Sequence, residues 1–506
     1  MRAIAGGVAK VRAILPHHQG FTRTAYLKGA DRWQVSWFDR EVRGRPRTEI
    51  AQVIVDDRTG AVLEAWTGHQ VAWTMARGYP GAFGRKSNAL YVWIPLCVLF
   101  LVPFVDPRRP LRLLHLDLLA LLGFSVSLAF FNHGDIGVSV PLAYPFLAYL
   151  LVRLLLAARP RPRPPDPVRL LVPASWLAVA LVFMVGFRVG LNVVNSNVID
   201  VGYAGVIGAD RLVHGHDLYG HFPADNEHGD TYGPANYLAY VPFERAFPWS
   251  GHWDDLPAAH AATVFFDLLC LLLLWVLGRR IRGPTLGIAL AYAWAAYPFT
   301  LFALCSNSND TLVAALVLAT FAVTSSAPAR GAFAALAGLT KFAPLALAPL
   351  LATYPRRSAR EVAPFVAGFL AVGALVMLPV LLPGDLRLFW DRTLGFQETR
   401  GSPFSIYGLL GGLGTLQAAV KIGAIALAVA VAFVPRRRDL VTLAALGGAV
   451  LVAVQLGVTH WFYLYLVWFF PLAMIALLGH RLEDRRTRRP AAPARAGARS
   501  SQPVAA

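Results

Sequence analysis

The sequence predicts an all-α polytopic membrane protein of about eleven spans plus one re-entrant hairpin, carrying a small N-terminal α+β domain. Three observations predict it. Of the 506 residues, 56% are hydrophobic and only 15% charged, where a soluble chain carries about a quarter charged. The apolar residues gather into runs of about 20, the length that crosses a bilayer as a helix. The basic residues behind the net charge of +18 sit in short clusters between those runs, which is the pattern of cytoplasmic membrane loops. Such clusters are not a folded basic module, so nucleic acid is excluded as a partner. Cys97, Cys270 and Cys305 lie in or beside apolar runs at unrelated spacings. They offer neither a disulfide framework nor a metal motif.

Residues 1–88 are polar and alternate as strands do. Trp33 to Phe38 and Ile50 to Val55 read as strands, and Asp57-Arg58-Thr59-Gly60 reads as a hairpin turn leading into Ala61 to Trp66. This stretch resembles the small PepSY-type α+β module, one helix on a short antiparallel sheet, and reads as a stabilising or partner-binding appendage. The first residues contain no apolar core long enough for a signal peptide. Residues 89–157 hold three accessory spans, and the Pro/Arg-rich segment 158–168, which cannot be helical throughout, marks the clearest boundary. The main membrane unit is 169–480, with apolar runs near 170–189, 259–278, 285–303, 311–325, 362–383, 411–434, 439–458 and 461–478. A basic tail, 481–506, closes the chain.

The positive-inside rule orients these runs. Arg159 to Arg169, Arg279-Arg280-Ile281-Arg282, Arg356-Arg357 with Arg360, Arg436-Arg437-Arg438 and the tail are expected on the cytoplasmic side, so 190–258, 304–310, 384–403 and Thr459-His460 face outward. Gly331 to Tyr354 has cytoplasmic charge at both ends and Gly338, Lys341 and Pro344 in its middle. A re-entrant helical hairpin with Lys341 at its tip restores the parity, since irregular backbone at membrane depth must line protein or a watery cavity. The same parity puts the N-terminal module outside, which requires either a start farther upstream or translocation by the first span.

Acidic, histidine and aromatic residues concentrate on the outward loops. Asp200, Tyr203 and Ile207 share one face of an amphipathic helix that also holds Asp210 and Arg211. A Gly/His turn follows, ending in Leu218-Tyr219, and then Asp230-Thr231-Tyr232-Gly233-Pro234 breaks the chain before it returns toward lipid. Asn307, Asn309 and Asp310 stand at a helix start, where capping is an equally good account of them. Transfer chemistry here needs a base for an acceptor hydroxyl, cations for a departing phosphate and aromatic surfaces for a sugar. Asp200 suits the base, being ionised at neutral pH with an unperturbed pKa of about 3.9. Lys341 and Arg400 suit the phosphate, one as a point charge and one as a planar fork. Tyr219, Tyr232 and Trp461 are candidate sugar platforms, against the alternative of an interfacial aromatic belt. His214, His216, His221 and His228 lie near Asp225, Glu227 and Asp230, but their spacing matches no compact zinc motif and they read as surface residues.

Taken in order, these segments resemble the GT-C superfamily of integral membrane glycosyltransferases, and within it glycosyltransferase family 87. The resemblance is carried by Asp200 with Tyr203, His214-Gly215 and Leu218-Tyr219; by Tyr232-Gly233-Pro234; by Ser308-Asn309-Asp310; by Gly338-Leu339-Thr340-Lys341 with Pro344; by Arg400 with Ser402-Pro403-Phe404; and by His460 with Tyr463. It spans about Arg169 to His480. It implies a polyprenyl-phosphate-linked sugar donor, commonly mannose or a related sugar, and a glycolipid or glycan acceptor outside the plasma membrane. Transfer would invert the anomeric carbon, with Asp200 as base. Tyr203, Asp210, Arg211, Tyr219, Asp230, Tyr232, Asn309, Asp310, Lys341, Arg400 and His460 are the expected substrate contacts. One departure is that Asp200 stands alone rather than in an adjacent acidic pair. No metal site is therefore expected, and a divalent metal is the one cofactor left open. The main competing reading is a transporter or flippase of a lipid-linked sugar, with Lys341 binding a head group. The absence of internal repeats and the one-sided polarity weigh against it.

Overall fold

The computed structural model describes residues 1–482 except 29–30, 41–47, 79–82, 160–166 and 437. Most of the Pro/Arg linker and all but the start of the basic tail thus lie outside the described residues. The chain is mostly helical, with one small sheet at its N-terminus.

The sheet is an antiparallel meander of β1 (Thr22–Lys28), β2 (Arg32–Phe38), β3 (Glu49–Asp56) and β4 (Val62–Thr67), in that spatial order. The three later strands are those expected from the alternation; β1 is an addition. Two short helices, Arg2–Gly6 and Ala9–Ile14, cover it, burying Ala5 and Val11 against Val35, Trp37, Val53 and Val55.

Six helices are long and apolar enough to cross a membrane: Leu113–Asn132, Ile136–Ala157, Ala174–Val194, Pro257–Arg282, Ala359–Val376 and Leu440–Gly457. Pro284–Ala296 and Pro298–Cys305 make a seventh if counted as one span bent by 59°. Full-length helices therefore account for fewer than the eleven spans expected. The runs near 89–105, 311–325, 411–434 and 461–478 form shorter helices, Leu90–Leu101, Asp310–Ala322, Gly414–Ala430 and Leu466–Leu478. The physical reason is that apolar residues also build loops here. Trp461 to Tyr465, for example, is buried and aromatic yet irregular or 3-10. Helix Ala327–Gly338 turns over 339–342 and returns as a 3-10 segment, Ala343–Leu347, and a short helix, Ala348–Ala352. Lys341 sits in that turn.

Charge is segregated to opposite ends. At one end Arg282 donates to the His480 carbonyl (2.7 Å), His480 meets Asp439 (3.1 Å), Arg438 donates to Thr353 Oγ1 (3.0 Å), and Arg330 donates to the Tyr354 carbonyl (2.8 Å) and Glu361 (2.7 Å). The expected cytoplasmic clusters thus share one end. Loops 195–199, 224–232, 306–310, 339–342, 396–404 and 459–465 gather at the other, around one cavity.

Within the bundle, two buried ion pairs bind helices together. Arg153 forks onto Asp117 (2.6 and 2.8 Å), which also accepts from Tyr149 (2.7 Å). Arg188 forks onto Asp267 (2.5 and 3.2 Å), and Trp294 donates to the same carboxylate (2.8 Å). Each arginine meets a carboxylate with further donors in place, the condition for keeping such charges away from water.

Candidate active site

Two loop segments bring Asp200 and Asp310 together. The backbone N–H groups of Asn197 and Ile199 donate to the carbonyls of Cys305 (3.1 Å) and Ser306 (3.2 Å). Asn307 takes a left-handed conformation (φ 47°), which asparagine tolerates better than most residues. Its side-chain oxygen accepts from Asn192 (2.8 Å) while its amide nitrogen donates to Ser196 Oγ (3.0 Å). Gly202, in the first turn of helix Asp200–Val213, completes the joint, since a Cβ there would lie 2.0 Å from the Asn307 carbonyl oxygen. A second joint sets Lys341. Gly233 packs on the 339–342 turn so closely that a Cβ would meet the Leu339 oxygen at 2.0 Å, and the Ala235 N–H donates to that oxygen (3.1 Å).

The resulting cavity, about 840 Å³, is lined by Asp200, Asp225, Glu227, His228, Tyr232, Trp253, Asp310, Lys341, Arg400, His460 and Tyr465, among others. A second, more apolar cavity of about 510 Å³ is lined by Phe342, Ala346, Trp390, Leu394, Val454 and Trp468. The two share Thr231, Tyr232, Lys341, Arg400, His460 and Tyr465. A polar chamber and an apolar one therefore meet at a ring of two cations, an imidazole and two tyrosines.

The charged groups at the junction are not equivalent. Lys341 Nζ donates to Asp310 Oδ1 (2.6 Å), which also accepts from Trp468 Nε1 (2.8 Å). The ammonium lies 5.5 Å from the Tyr232 ring centre and 5.2 Å from those of Tyr465 and Trp468. Lys341 is thus already neutralised by a buried carboxylate, which the sequence did not reveal. Arg400 is different. Its guanidinium lies between the rings of Trp73 (5.4 Å) and Phe396 (5.6 Å), with no carboxylate at ion-pair distance among the described residues. Asp200 likewise makes no ion pair among the described residues, and its carboxylate opens into the chamber. Burial among protein atoms raises its pKa above the ordinary carboxylate value, with Arg400 and Lys341 opposing that rise. His460 Nδ1 lies 2.9 Å from Ser402 Oγ. Burial, and then the nearby Arg400 and Lys341, hold its pKa well below the usual imidazole range, so the ring is neutral at physiological pH.

The remaining expected contacts lie behind the wall or away from it. Tyr203 is fully buried, stacks on Trp253 (4.9 Å) and donates to Asp225 (3.3 Å), so it supports two lining residues. Asn309 stands at the N-cap of its helix, but its side chain donates to Asn236 Oδ1 (2.8 Å) and makes no cap hydrogen bond. Tyr219 donates to the Tyr232 carbonyl (2.9 Å), and Asp230 accepts from the Gly220 N–H (2.7 Å) beside Arg392 (3.6 Å). Asp210 pairs with the exposed His214 (3.1 Å), and Arg211 shapes its own loop through the Asp217 and His221 carbonyls (2.6 and 3.1 Å). None of these six lines either cavity. Trp461 is also buried away from them, donating to Gln455 (3.0 Å). Among the described residues no three His, Cys, Asp or Glu side chains converge as a metal site would require, and Lys341 supplies the positive charge against Asp310.

Residues that sequence reasoning missed include Trp73, Trp253, Phe396 and Tyr465. Tyr465 follows the expected His460-to-Tyr463 segment by two residues and could have been found there; Trp73 carried no comparable signal.

Residues 231–456 match the family model of glycosyltransferase family 87. The match implies a glycosyltransferase, and with the membrane-length helices it places that activity in a membrane setting. It takes in Tyr232, Asp310, Lys341 and Arg400, while Asp200 and His460 fall outside it. It is shorter than the span of the resemblance read from the motifs. No curated protein and no solved structure matches the chain.

Proposed function

We propose that this glycosyltransferase moves a sugar, mannose or a related one, from a polyprenyl-phosphate donor to a hydroxyl of a glycolipid or glycan acceptor, inverting the anomeric carbon, on the outer face of the plasma membrane. The observation that carries the reading is the junction itself: Asp200 and Arg400, neither in an ion pair among the described residues, share a chamber where it meets an apolar cavity. The apolar cavity suits a prenyl chain, and the junction suits its phosphate. Asp200 accepts the proton of the acceptor hydroxyl as its oxygen bonds to the anomeric carbon. The bond from that carbon to the phosphate oxygen breaks, and the electron pair leaves on the phosphate. Arg400 meets that developing charge with a planar fork. Neutral His460 offers a hydrogen bond without adding charge, and the Lys341–Asp310 pair holds the floor of the site. The wall on the other side, Asp225, Glu227 and Trp253, is left for the acceptor. The cationic clusters gathered at the opposite end of the bundle support that sidedness.

The product tests the stereochemistry. Purified protein in nanodiscs, given an α- or β-linked polyprenyl-phosphate hexose and a membrane-derived acceptor, is expected to yield the opposite anomer, read by NMR of the isolated product. A product that keeps the donor's configuration would mean a double displacement or same-face attack and would remove Asp200 as the base of a single in-line displacement. Donor carried across vesicles without any transfer would favour a flippase.

A further inference from the structure

The N-terminal module reads from sequence as an appendage, yet its connection to the bundle reaches the reaction chamber. Ala72, Trp73, Thr74 and Met75 line the same cavity as Asp200, Lys341, Arg400 and His460. They precede the first apolar helix and lie far outside the segment matched to the family. Trp73 occupies a notch between two site loops. Its ring meets Phe404 edge-on at 5.3 Å, lies 5.8 Å from His460, and has the Arg400 guanidinium over it at 5.4 Å. Phe396 takes a second contact with that guanidinium at 5.6 Å.

The segment that presents Trp73 is held at both sides. Gln70 Nε2 donates to the carbonyls of Ala76 and Gly134, each at 3.0 Å, which joins it to the turn between two bundle helices. Arg77 donates to Gln52 Oε1 (3.0 Å) on β3 and to the carbonyls of Gln70 (2.8 Å) and Val71 (3.1 Å). Gly78 approaches Gly134 so closely that a Cβ would lie 2.1 Å from its backbone nitrogen. Sheet, segment and bundle are therefore tied beside Trp73, where the module meets the chamber.

We infer that Trp73 is a positioning residue for the transfer. It holds the Arg400 guanidinium in a fixed plane with its fork toward the chamber junction, so that the N-terminal module is an integral wall of the active site. The physical basis is that a guanidinium stacks on aromatic faces and keeps its in-plane donors free for a phosphate. A long arginine side chain without a carboxylate partner would otherwise sample many rotamers before meeting its ligand. The inference rests on the proposed role of Arg400 at the donor phosphate.

The test is a double-mutant cycle on the full chain in nanodiscs, read as the affinity for farnesyl phosphate, with sugar transfer measured in parallel. Trp73→Leu keeps apolar volume without a π face, and Trp73→Phe restores the face. Trp73→Leu is expected to weaken binding about ten-fold, and Trp73→Phe to recover most of it. In the Arg400→Gln background Trp73→Leu is expected to have no further effect. Equal weakening by Trp73→Leu in both backgrounds, or wild-type affinity in Trp73→Leu or in Arg400→Gln, overturns the inference. A Trp73→Leu that loses its monodisperse peak is replaced by Trp73→Met, which also lacks a ring and reads the same cycle. Coupling between Trp73 and Arg400 without any transfer by the wild type would support the positioning role and defeat the transferase reading, so the two failures are separable.

Discussion

Asp200 and Asp310 lie within electrostatic reach of the same lysine, and their surroundings give them different work. Asp310 is fully buried and spends one oxygen on Lys341 and Trp468, so it orders the site. Asp200 keeps an open carboxylate whose pKa is raised, first by burial. A group whose folded pKa lies above its unfolded value of 3.8 binds its proton more tightly when folded. Its contribution to stability is full below the unfolded value and is lost as pH rises through the folded one. Once ionised in the folded chain, the carboxylate therefore weakens the fold. Asp200→Asn is expected to raise the thermal midpoint near neutral pH, with the gain shrinking toward the ordinary carboxylate range. Equal midpoints for wild type and variant at both ends of that range would mean that Asp200 carries no such burden. The sequence showed the type and place of these residues. It could not show which of Lys341 and Arg400 is neutralised, because Asp310 and Lys341, 31 positions apart, close up only in the folded hairpin.

Among elements, the joints matter more than the helices they connect. The Gly202 and Gly233 contacts let backbone meet backbone where Asp200 and Lys341 are set. Gly202→Ala must push the Asp200 turn off the Asn307 carbonyl, and misplacement by about 1 Å can cost about a hundred-fold in rate. Transfer by that variant is expected to fall by that order while the helical circular dichroism is kept; undiminished transfer would show that the joint does not set the base. The buried pair between helices Ala174–Val194 and Pro257–Arg282 is a second device. Asp267→Asn leaves Arg188 as an uncompensated charge, at a cost of roughly 3–5 kcal/mol. The check is the unfolding midpoint in detergent, and the Arg188→Met/Asp267→Leu double variant is expected to recover most of the loss. Hydropathy made the long helices legible, as it did the strands Trp33 to Phe38 and Ile50 to Val55. The remaining apolar runs form helices short of membrane length, in part because stretches such as Trp461 to Tyr465 are apolar without being regular helix. Asp117 with Arg153 and Asp267 with Arg188 went unread, since helix partners far apart in sequence leave no local pattern.

For the whole molecule, the division of labour is between two ends. Cations and carbonyls tie one end together, and at the other the loops enclose a polar chamber that meets an apolar one. The one-sided polarity was legible from the loops, and the resemblance to glycosyltransferase family 87 was legible from the motifs, with a match over 231–456. The part played by the N-terminal module was not, because Trp73 meets Arg400 across more than three hundred residues of chain. The most direct measurement of the central claim pairs donor binding with transfer for the wild type and Asp200→Asn. Nanodiscs holding each protein receive a radiolabelled polyprenyl-phosphate sugar and a membrane-derived acceptor, and bound and transferred label are counted separately. Equal donor binding, with transfer lost only in Asp200→Asn, is the expected result. Transfer at the wild-type rate by Asp200→Asn would contradict the account and place the base elsewhere in the chamber.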